Sequence, residues 1–196
     1  KAGVAAVTAK DAVEAAKQAA SIVALLPANN LAGPALFDFA APAKALDLVK
    51  YTAAGAVEAL ADEGSAVELY AGYGKNIVTA LATINGSAVG IVATEKKVLC
   101  HKCTAKAARF VRLCDAYSIP VVTVVNTEGF GKSEGDDEAG GIRQAARMAG
   151  VYAEATTVKV AILAGEAVGP AYTVFAASAD WRVAVKGCTV APLGPE

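Results

Sequence analysis

The most constraining feature of this sequence is a strand, a glycine-rich loop and a helix that follow one another. Residues 121–125 form a short run of valine and threonine that suits a strand buried on both faces inside a layered sheet. The composition then changes to Gly, Glu, Asp, Ser and Lys over residues 126–140. Because ligands of open α/β sheets bind at the carboxyl ends of such strands, residues 127–141 are predicted to hold the functional site. The apolar residues that follow recur at helical spacing and predict one buried helix face: Ile142, Ala145, Ala146 and Ala149.

A second unit of the same kind follows later in the chain. Residues 157–163 predict a buried strand, residues 164–169 a turn of small residues, and a helix is predicted to begin near Pro170, where proline is well tolerated. Repeated strand and helix units predict an α/β fold with a largely parallel sheet covered by helices. Since sequential parallel strands joined by a helix usually pair, the two strands are predicted to be parallel neighbours.

The other elements come from local patterns. The pair Asn85-Gly86 lies between two strand-like runs and is the strongest short signal for a β-hairpin. Three prolines mark residues 27–42 as a linker between an appendage and the main domain. Helices are predicted over residues 8–26, 44–61 and 103–117, an edge strand over 66–70, and short strands over 181–185 and 188–191.

Composition excludes several classes of protein. The net charge is −1 and the Lys and Arg residues are scattered, which argues against nucleic acid as a partner. No apolar run approaches the roughly 18 residues of a membrane span, and four cysteines are few for a disulfide scaffold. We therefore expect a cytoplasmic protein. The chain begins at Lys1 without a methionine and ends at Glu196, and we expect both ends to have been cut from a longer protein.

Two clusters of polar residues carry alternative interpretations. Cys100-His101-Lys102-Cys103 has the spacing of half a zinc site, but a complete site needs two more ligands, so a fortuitous pair or a redox-sensitive turn is favoured. The acidic cluster of residues 134–138 suits a hard cation or a general base. A solvated loop that places negative charge at a helix N-terminus is the favoured interpretation.

Classical catalytic motifs are missing from the sequence. His101 is the only histidine, and neither a nucleophile elbow nor a phosphate-binding glycine fingerprint is present. The two glycine-bearing turns, residues 129–131 and 165–171, remain. Two backbone N–H groups aimed at one point would form an oxyanion hole without any ionisable side chain. The alternative is that both are simply tight turns.

Several stretches of the sequence together resemble one family of enzymes. They are GYGKNIVTALATINGSAVGIVATEKKVL (72–99), KAARFVRLCDAYSIPVVTVVNTEGF (106–130), GGIRQAARM (140–148), VYAEATTVKVAILAGEAVGPAYTVF (151–175) and the closing LGPE (193–196). In this order they resemble the C-terminal half of the carboxyltransferase (β) subunits of biotin-dependent acyl-CoA carboxylases. They are equally similar to the related α subunits of biotin-dependent acyl-CoA decarboxylases. LLPANN, residues 25–30, resembles the segment that joins the two halves of these subunits.

The resemblance implies a crotonase-like (ClpP/crotonase) fold, a superhelix of ββα units with an N-terminal helical appendage. Residues 1–35 would be the helical tail and linker of a preceding half-domain. Residues 36–196 would be the C-terminal carboxyltransferase domain, in truncated form. The half expected to bind coenzyme A would then lie outside this chain.

The chemistry that the resemblance implies needs no metal. Carboxybiotin would release carbon dioxide, the biotin enolate would remove the α-proton of an acyl-CoA, and the resulting carbanion would capture the carbon dioxide. The implied cofactor is biotin on a biotin carboxyl carrier protein, and the acyl-CoA is the substrate. The implied partners are biotin carboxylase or decarboxylase subunits, in a homo-oligomer or hetero-oligomer. The alternatives are a decarboxylase component and a non-catalytic assembly subunit of the same fold.

The resemblance also implies site residues. Backbone N–H groups of Phe130 or Gly131 and of Ala171 would bind the ureido oxygen of biotin. Glu128 stands where the family usually has proline, and Pro170 stands where it has glycine and removes one backbone donor. If Pro170 is the first helical residue, that donor is dispensable. The residues implied to line the biotin and substrate pocket are Gly129, Gly169, Pro170, Tyr172 and Thr173.

Overall fold

A computed structural model describes residues 2–193 and shows two β-sheets with helices packed against the larger one. Lys1 and the last three residues of the LGPE motif lie outside the described residues. The strands are β1 (Val67–Leu69), β2 (Ile77–Ile84), β3 (Ser87–Thr94), β4 (Val121–Val125), β5 (Lys159–Leu163), β6 (Glu166–Val168), β7 (Trp181–Ala184) and β8 (Thr189–Ala191). The helices are α1 (Ala12–Leu25), α2 (Ala53–Leu60), α3 (His101–Ala116), α4 (Glu134–Glu138) and α5 (Gly141–Glu154), followed by a π-helix (Tyr172–Ala177).

The larger sheet has the strand order β1-β2-β3-β4-β5-β7. Strands β1, β2 and β3 pair antiparallel, whereas β3, β4, β5 and β7 pair parallel. Val121 of β4 is paired with Lys159 of β5, and Val125 with Leu163. The predicted parallel pairing of these two strands is therefore confirmed.

The hairpin between β2 and β3 closes at Asn85-Gly86, as predicted. The φ angles of these residues are 51° and 77°, the positive values of a turn that matches the right-handed twist of the strands. The carboxylate of Asp62 caps the turn because it accepts hydrogen bonds from the Asn85 N–H (2.9 Å), the Gly86 N–H (2.7 Å) and the Thr83 hydroxyl (2.7 Å).

Helices cover both faces of the larger sheet. On one face, α3, α5 and the π-helix bury the larger core, in which Phe110, Tyr152 and Phe175 are fully buried. On the other face, α2 contributes Ala53, Ala56 and Val57 to a second core. Burial on both faces explains why four of the five residues of β4 are valine, and the hydroxyl of the fifth, buried Thr123, lies 3.1 Å from the Tyr152 hydroxyl.

The helix predicted over residues 44–61 is wrong in its first half, because α2 begins only at Ala53. The Asp47 side chain accepts hydrogen bonds from the N–H groups of Val49 (2.8 Å) and Lys50 (3.0 Å), a local turn that competes with a helix. Thr52 then caps α2 by accepting from the Gly55 N–H at 3.0 Å. The apolar spacing of this segment therefore reflects a turn, not a helix face.

The turn predicted over residues 164–169 contains a strand. β6 pairs in parallel with β8 through Glu166 and Thr189 to form the small second sheet. Three residues between Gly165 and Gly169 carry no strand pattern of their own. Their conformation depends on pairing with a segment more than 20 residues away, which local sequence does not show.

Packing against Gly90 of β3 leads to a stability prediction. A Cβ atom on Gly90 would collide with Cys114 Sγ and lie 3.1 Å from Phe110, both on α3. We expect Gly90→Ala to lower the free energy of unfolding by about 1–3 kcal/mol, because helix and sheet would have to separate. The control is Gly150→Ala in α5, where a Cβ meets nothing within 4 Å, and which we expect to raise stability by about 0.5–1 kcal/mol. Urea unfolding of both variants measures the difference, and equal effects would contradict the close approach.

Candidate functional site

The first glycine turn follows β4 and is held by the segment that leads into α3. The Leu99 N–H donates to the Gly129 carbonyl (2.8 Å), and the Gly131 N–H donates to the Leu99 carbonyl (2.9 Å). The Thr127 hydroxyl donates to the Lys97 carbonyl at 2.8 Å and accepts from the Gly129 N–H at 3.2 Å. Phe130 therefore lies between two anchored glycines.

The second turn follows β5 and is joined directly to the first. The Asn126 side chain at the end of β4 is buried and accepts the Glu166 N–H at 3.1 Å. The Thr127 N–H donates to the Glu166 carbonyl at 2.9 Å. A Cβ atom on Gly165 would overlap the Asn126 amide, so this close approach requires glycine. The two turns are thus tied together at the carboxyl ends of neighbouring strands.

Aromatic side chains of the core link the first turn to the π-helix that follows the second turn. The ring of Phe130 lies 6.4 Å from that of Phe175 in the π-helix, measured between centroids. Phe175 in turn packs edge to face on Tyr152 at 5.4 Å, and the Tyr152 hydroxyl lies 3.1 Å from the Thr123 hydroxyl of β4. Aromatic pairs in offset or edge-to-face arrangements stabilise a fold by more than the burial of their surface area alone. The Phe130 turn is therefore supported by the core.

Both turns open into one cavity of about 800 Å³. Gly129 (φ 100°) and Gly169 (φ 62°) have backbone angles that favour glycine, and a Cβ on either would meet nothing within 4 Å. The residues that line the cavity come from both turns, the start of α3, α5 and the last two described residues, 192 and 193. They include Leu99, His101, Phe130, Gly131, Asp136, Ile142, Ala145, Ala146, Ala149, Gly169, Pro170, Thr173 and Leu193.

The lining corrects the predicted buried face of α5. Its buried residues are Met148, Val151 and Tyr152, whereas Ile142 is 73% exposed. Ile142, Ala145 and Ala146 line the cavity instead of the core, whereas Ala149 lines the cavity and also packs against the core. Apolar periodicity identifies an apolar face but does not tell a core from an open cavity.

The predicted donors differ in their surroundings. The Gly131 N–H donates to Leu99, so of the two alternatives in this turn only the Phe130 N–H is left without an acceptor among residues 2–193. The Ala171 N–H, next to Pro170 at the start of its helix, also has no acceptor in that part of the chain. Ala171 is fully buried and, like half-buried Tyr172, it does not itself line the cavity. Gly129, Gly169, Pro170 and Thr173 do line it.

One pair of side chains at this cavity was not predicted. Nδ1 of His101, the first residue of α3, lies 3.3 Å from Oδ1 of Asp136 in α4. The hydrogen bond with His101 and one from the Ser133 hydroxyl hold the pKa of the Asp136 carboxyl below its ordinary value. Asp136 also lies against Gly131, where a Cβ atom would collide with the carboxylate. No local signal connects two residues that lie 35 positions apart.

The other members of the predicted clusters remain apart from the cavity. Glu134, Asp137 and Glu138 are exposed on α4, whose first turn begins after the N-cap Ser133. Such charges are favourable near a helix N-terminus. The Cys100 and Cys103 sulfurs lie 3.2 Å apart. Among residues 2–193, no group of three or more His, Cys, Asp or Glu side chains is placed to hold a metal ion.

The fold and the cavity define an α/β protein with a candidate site between two glycine turns at the ends of parallel strands. The chain belongs to the carboxyl transferase domain family, whose match covers residues 1–196. It is 38% identical over 147 residues to a putative propionyl-CoA carboxylase beta chain of Bacillus subtilis, which covers 71% of this chain and 29% of that one. It is 35% identical over 143 residues to the methylmalonyl-CoA decarboxylase subunit alpha of Propionigenium modestum, covering 69% of this chain and 28% of that one.

Solved structures confirm the crotonase-like fold. The chain superposes on the transcarboxylase 12S crystal structure, a hexamer with hydrolysed methylmalonyl-coenzyme A bound, with a TM-score of 0.86 and 30% identity. The superposition covers 95% of this chain and 40% of that one. The chain therefore spans less than a third of the length of the curated relatives and less than half of this structural relative. None of the helices within residues 2–193 is long and apolar enough to cross a membrane.

Proposed function

We propose that this chain is part of a subunit that moves a carboxyl group between carboxybiotin and an acyl-CoA. The observation that carries the proposal is the cavity shared by the two glycine turns. The Phe130 N–H lies between Gly129 and Gly131, and backbone hydrogen bonds with Leu99 hold both glycines in place. The Ala171 N–H belongs to the helix that follows the second turn. Fixed backbone donors of this kind stabilise an oxyanion without proton transfer from a side chain.

The donors and the cavity suit the ureido group of biotin. A ureido oxygen accepts two hydrogen bonds and needs no charged partner, and the unpaired N–H groups of Phe130 and Ala171 would supply them. Gly129, Gly169, Pro170 and Thr173, which line the cavity, would line the ring, whereas half-buried Tyr172 packs against the core. Carboxybiotin, when bound, supplies the carboxyl group that is transferred. The Phe130 ring, packed on Phe175, keeps the first donor in place.

The direction of transfer has two candidates. Similarity to the beta chain of B. subtilis favours carboxylation of an acyl-CoA, and similarity to subunit alpha of P. modestum favours a biotin-dependent decarboxylase component. Identities of 38% and 35% do not separate them. A non-catalytic assembly subunit of the same fold is the third candidate, because Pro170 lacks the N–H that the family usually has there.

The experiment that tests the proposal uses a chimera, since the chain spans only part of its relatives. The matching segment of the B. subtilis relative is replaced by this chain, and exchange of labelled carboxyl between methylmalonyl-CoA and free biotin, which leaves propionyl-CoA and carboxybiotin, is measured. We expect exchange above the level of the same relative with the segment deleted. A chimera that assembles like the parent but shows no exchange would support the assembly subunit and contradict the proposal.

The apolar cavity wall also supports a partner subunit. Ile142 on α5 is 73% exposed, and Leu193, the last described residue, is 78% exposed. Both residues line the cavity. We propose that the complementary half of another carboxyltransferase subunit covers this wall, as exposed apolar patches commonly mark interfaces. The carrier protein of biotin and the carboxylase or decarboxylase subunits would be further partners.

Association through this wall is testable in the same chimera. We expect Ile142→Glu to shift the oligomer towards monomer in light scattering, because a charge would be buried without a partner. The matched control is Val23→Glu on α1, where an equally exposed apolar residue lies away from the cavity. If both variants assemble like the parent chimera, the wall is not an interface.

The domain division also becomes a proposal. Residues 1–35 would be the tail of a preceding half and residues 36–196 the carboxyltransferase domain. The strand-like segment around Leu36 supports a junction there, because the Phe37 N–H donates to the Gly86 carbonyl (2.7 Å) and the Ala88 N–H to the Ala35 carbonyl (2.9 Å). The cytoplasmic location stays a prediction from cysteine usage.

A further inference from the structure

Two cysteines at the start of α3 lie close enough to react with each other. Cys100 is the N-cap residue of α3, and Cys103 lies in its first turn. Their sulfurs are 3.2 Å apart, and the Cys103 N–H donates to the Cys100 carbonyl at 2.9 Å. Because a disulfide bond is about 2.05 Å long, the sulfurs need to approach by only about 1 Å.

The two thiols differ in their access to solvent. Cys100 is half-buried, whereas Cys103 is fully buried. Burial, followed by the hydrogen bond with Cys100, raises the pKa of the Cys103 thiol to about 12. The thiolate is the reactive form of cysteine, and a reagent in solution reaches the accessible sulfur first. Cys100 is therefore the attacking residue, and Cys103 reacts only with Cys100 Sγ, once that sulfur is part of a mixed disulfide.

We propose that Cys100 and Cys103 form a redox-active dithiol site that exchanges with low-molecular-weight disulfides such as oxidised glutathione. The Cys100 thiolate attacks one glutathione sulfur, which forms a mixed disulfide and releases the first glutathione thiolate. Cys103 then attacks Cys100 Sγ, which forms the intramolecular disulfide and breaks the bond between Cys100 and glutathione. The second glutathione leaves as a thiolate and takes up the proton that Cys103 loses. Two protein thiols are oxidised and one glutathione disulfide is reduced to two thiols, so hydrogens and electrons balance.

The cysteine pair lies next to the cavity but does not line it. Leu99 and His101 flank Cys100 in the chain, and both line the cavity, although neither cysteine does. Cys100 directly follows the residue whose backbone bonds Gly129 and Gly131. The dithiol site therefore lies one residue outside the cavity wall and takes no part in the proposed carboxyl transfer, so its test does not depend on that function.

The sequence offers a direct assay, because Lys102 separates the two cysteines. Trypsin cleaves after Lys97, Lys102 and Lys106, so the reduced chain yields separate peptides of residues 98–102 and 103–106. The folded chain is incubated with oxidised glutathione, blocked with an alkylating reagent under acidic conditions and digested. We expect the two peptides to be recovered joined by a disulfide, with the mass of their sum less two hydrogens, and to separate after treatment with dithiothreitol.

Single substitutions separate the roles of the two sulfurs. We expect Cys103→Ser to leave a stable glutathione adduct on Cys100, and Cys100→Ser to give no adduct on Cys103. The control Cys188→Ser removes the other half-buried cysteine and should leave the joined peptides unchanged. Two results would overturn the proposal. One is recovery of the two peptides unjoined after oxidation of the parent chain, and the other is an adduct on Cys103 in the Cys100→Ser variant.

Discussion

Replacing the backbone N–H of Phe130 or of Ala171 by an ester oxygen is expected to lower kcat for carboxyl transfer by about 10²–10³. That range is typical for the loss of one oxyanion-hole donor. Phenyllactate at position 130 and lactate at position 171, incorporated into the active chimera, remove only the donor. KM for the acyl-CoA should change little, because the proposed role of these N–H groups is to bind biotin and not the acyl-CoA.

The control for this experiment lies in another helix. Lactate at Ala12, the first residue of α1, makes the same chemical change outside the cavity and should retain full activity. A proline at position 171 would also remove the N–H, but it would add ring atoms at a fully buried position directly after Pro170. If both esters kept the kcat of the parent chimera, the oxyanion hole would lie elsewhere.

Asp62→Ala is expected to lower the free energy of unfolding by about 3 kcal/mol. The carboxylate accepts three hydrogen bonds at the hairpin turn, and Asp62 is only 3% exposed. Its removal leaves buried donors unpaired, which costs about 1–3 kcal/mol for each group. Urea unfolding measures the change, and the exposed neighbour Glu63→Ala should have almost no effect. Similar losses in the two variants would contradict this role of Asp62.

The same residue predicts a pH dependence. Burial alone would raise the pKa of Asp62, but hydrogen bonds from Thr83, Gly86 and Asn85 prevail and hold it below its ordinary value. A lowered pKa means that the stabilisation is complete above the unfolded-state value of about 3.9 and is lost as the pH falls below it. We therefore expect the difference in stability between wild type and Asp62→Ala to shrink as the pH falls from 5 towards 2. A constant difference would contradict the shift.

Local sequence predicted the elements whose causes are themselves local. The valine-rich run of β4 and the Asn85-Gly86 turn were located almost to the residue because β-branched packing and positive φ angles depend on the residues concerned. The helix predicted over residues 8–26 contains α1, which is capped locally by Asp11, whose side chain accepts the Glu14 N–H at 2.8 Å. The first half of the helix predicted over residues 44–61 was wrong, because the Asp47 side chain competes for the backbone.

For the site, the sequence by itself determined which two glycine turns would end neighbouring parallel strands, because sequential parallel strands joined by a helical crossover usually pair. Only the tertiary structure decided that Gly131 donates to Leu99 and that His101 meets Asp136. It also decided that Ile142, Ala145 and Ala146 on the apolar face of α5 line a cavity instead of the core. The physical reason is that a hydrogen-bond partner and the burial of a face are properties of two segments at once. The residue pattern of one segment shows which contacts that segment is able to make. Whether it makes them depends on where the second segment packs in the folded chain.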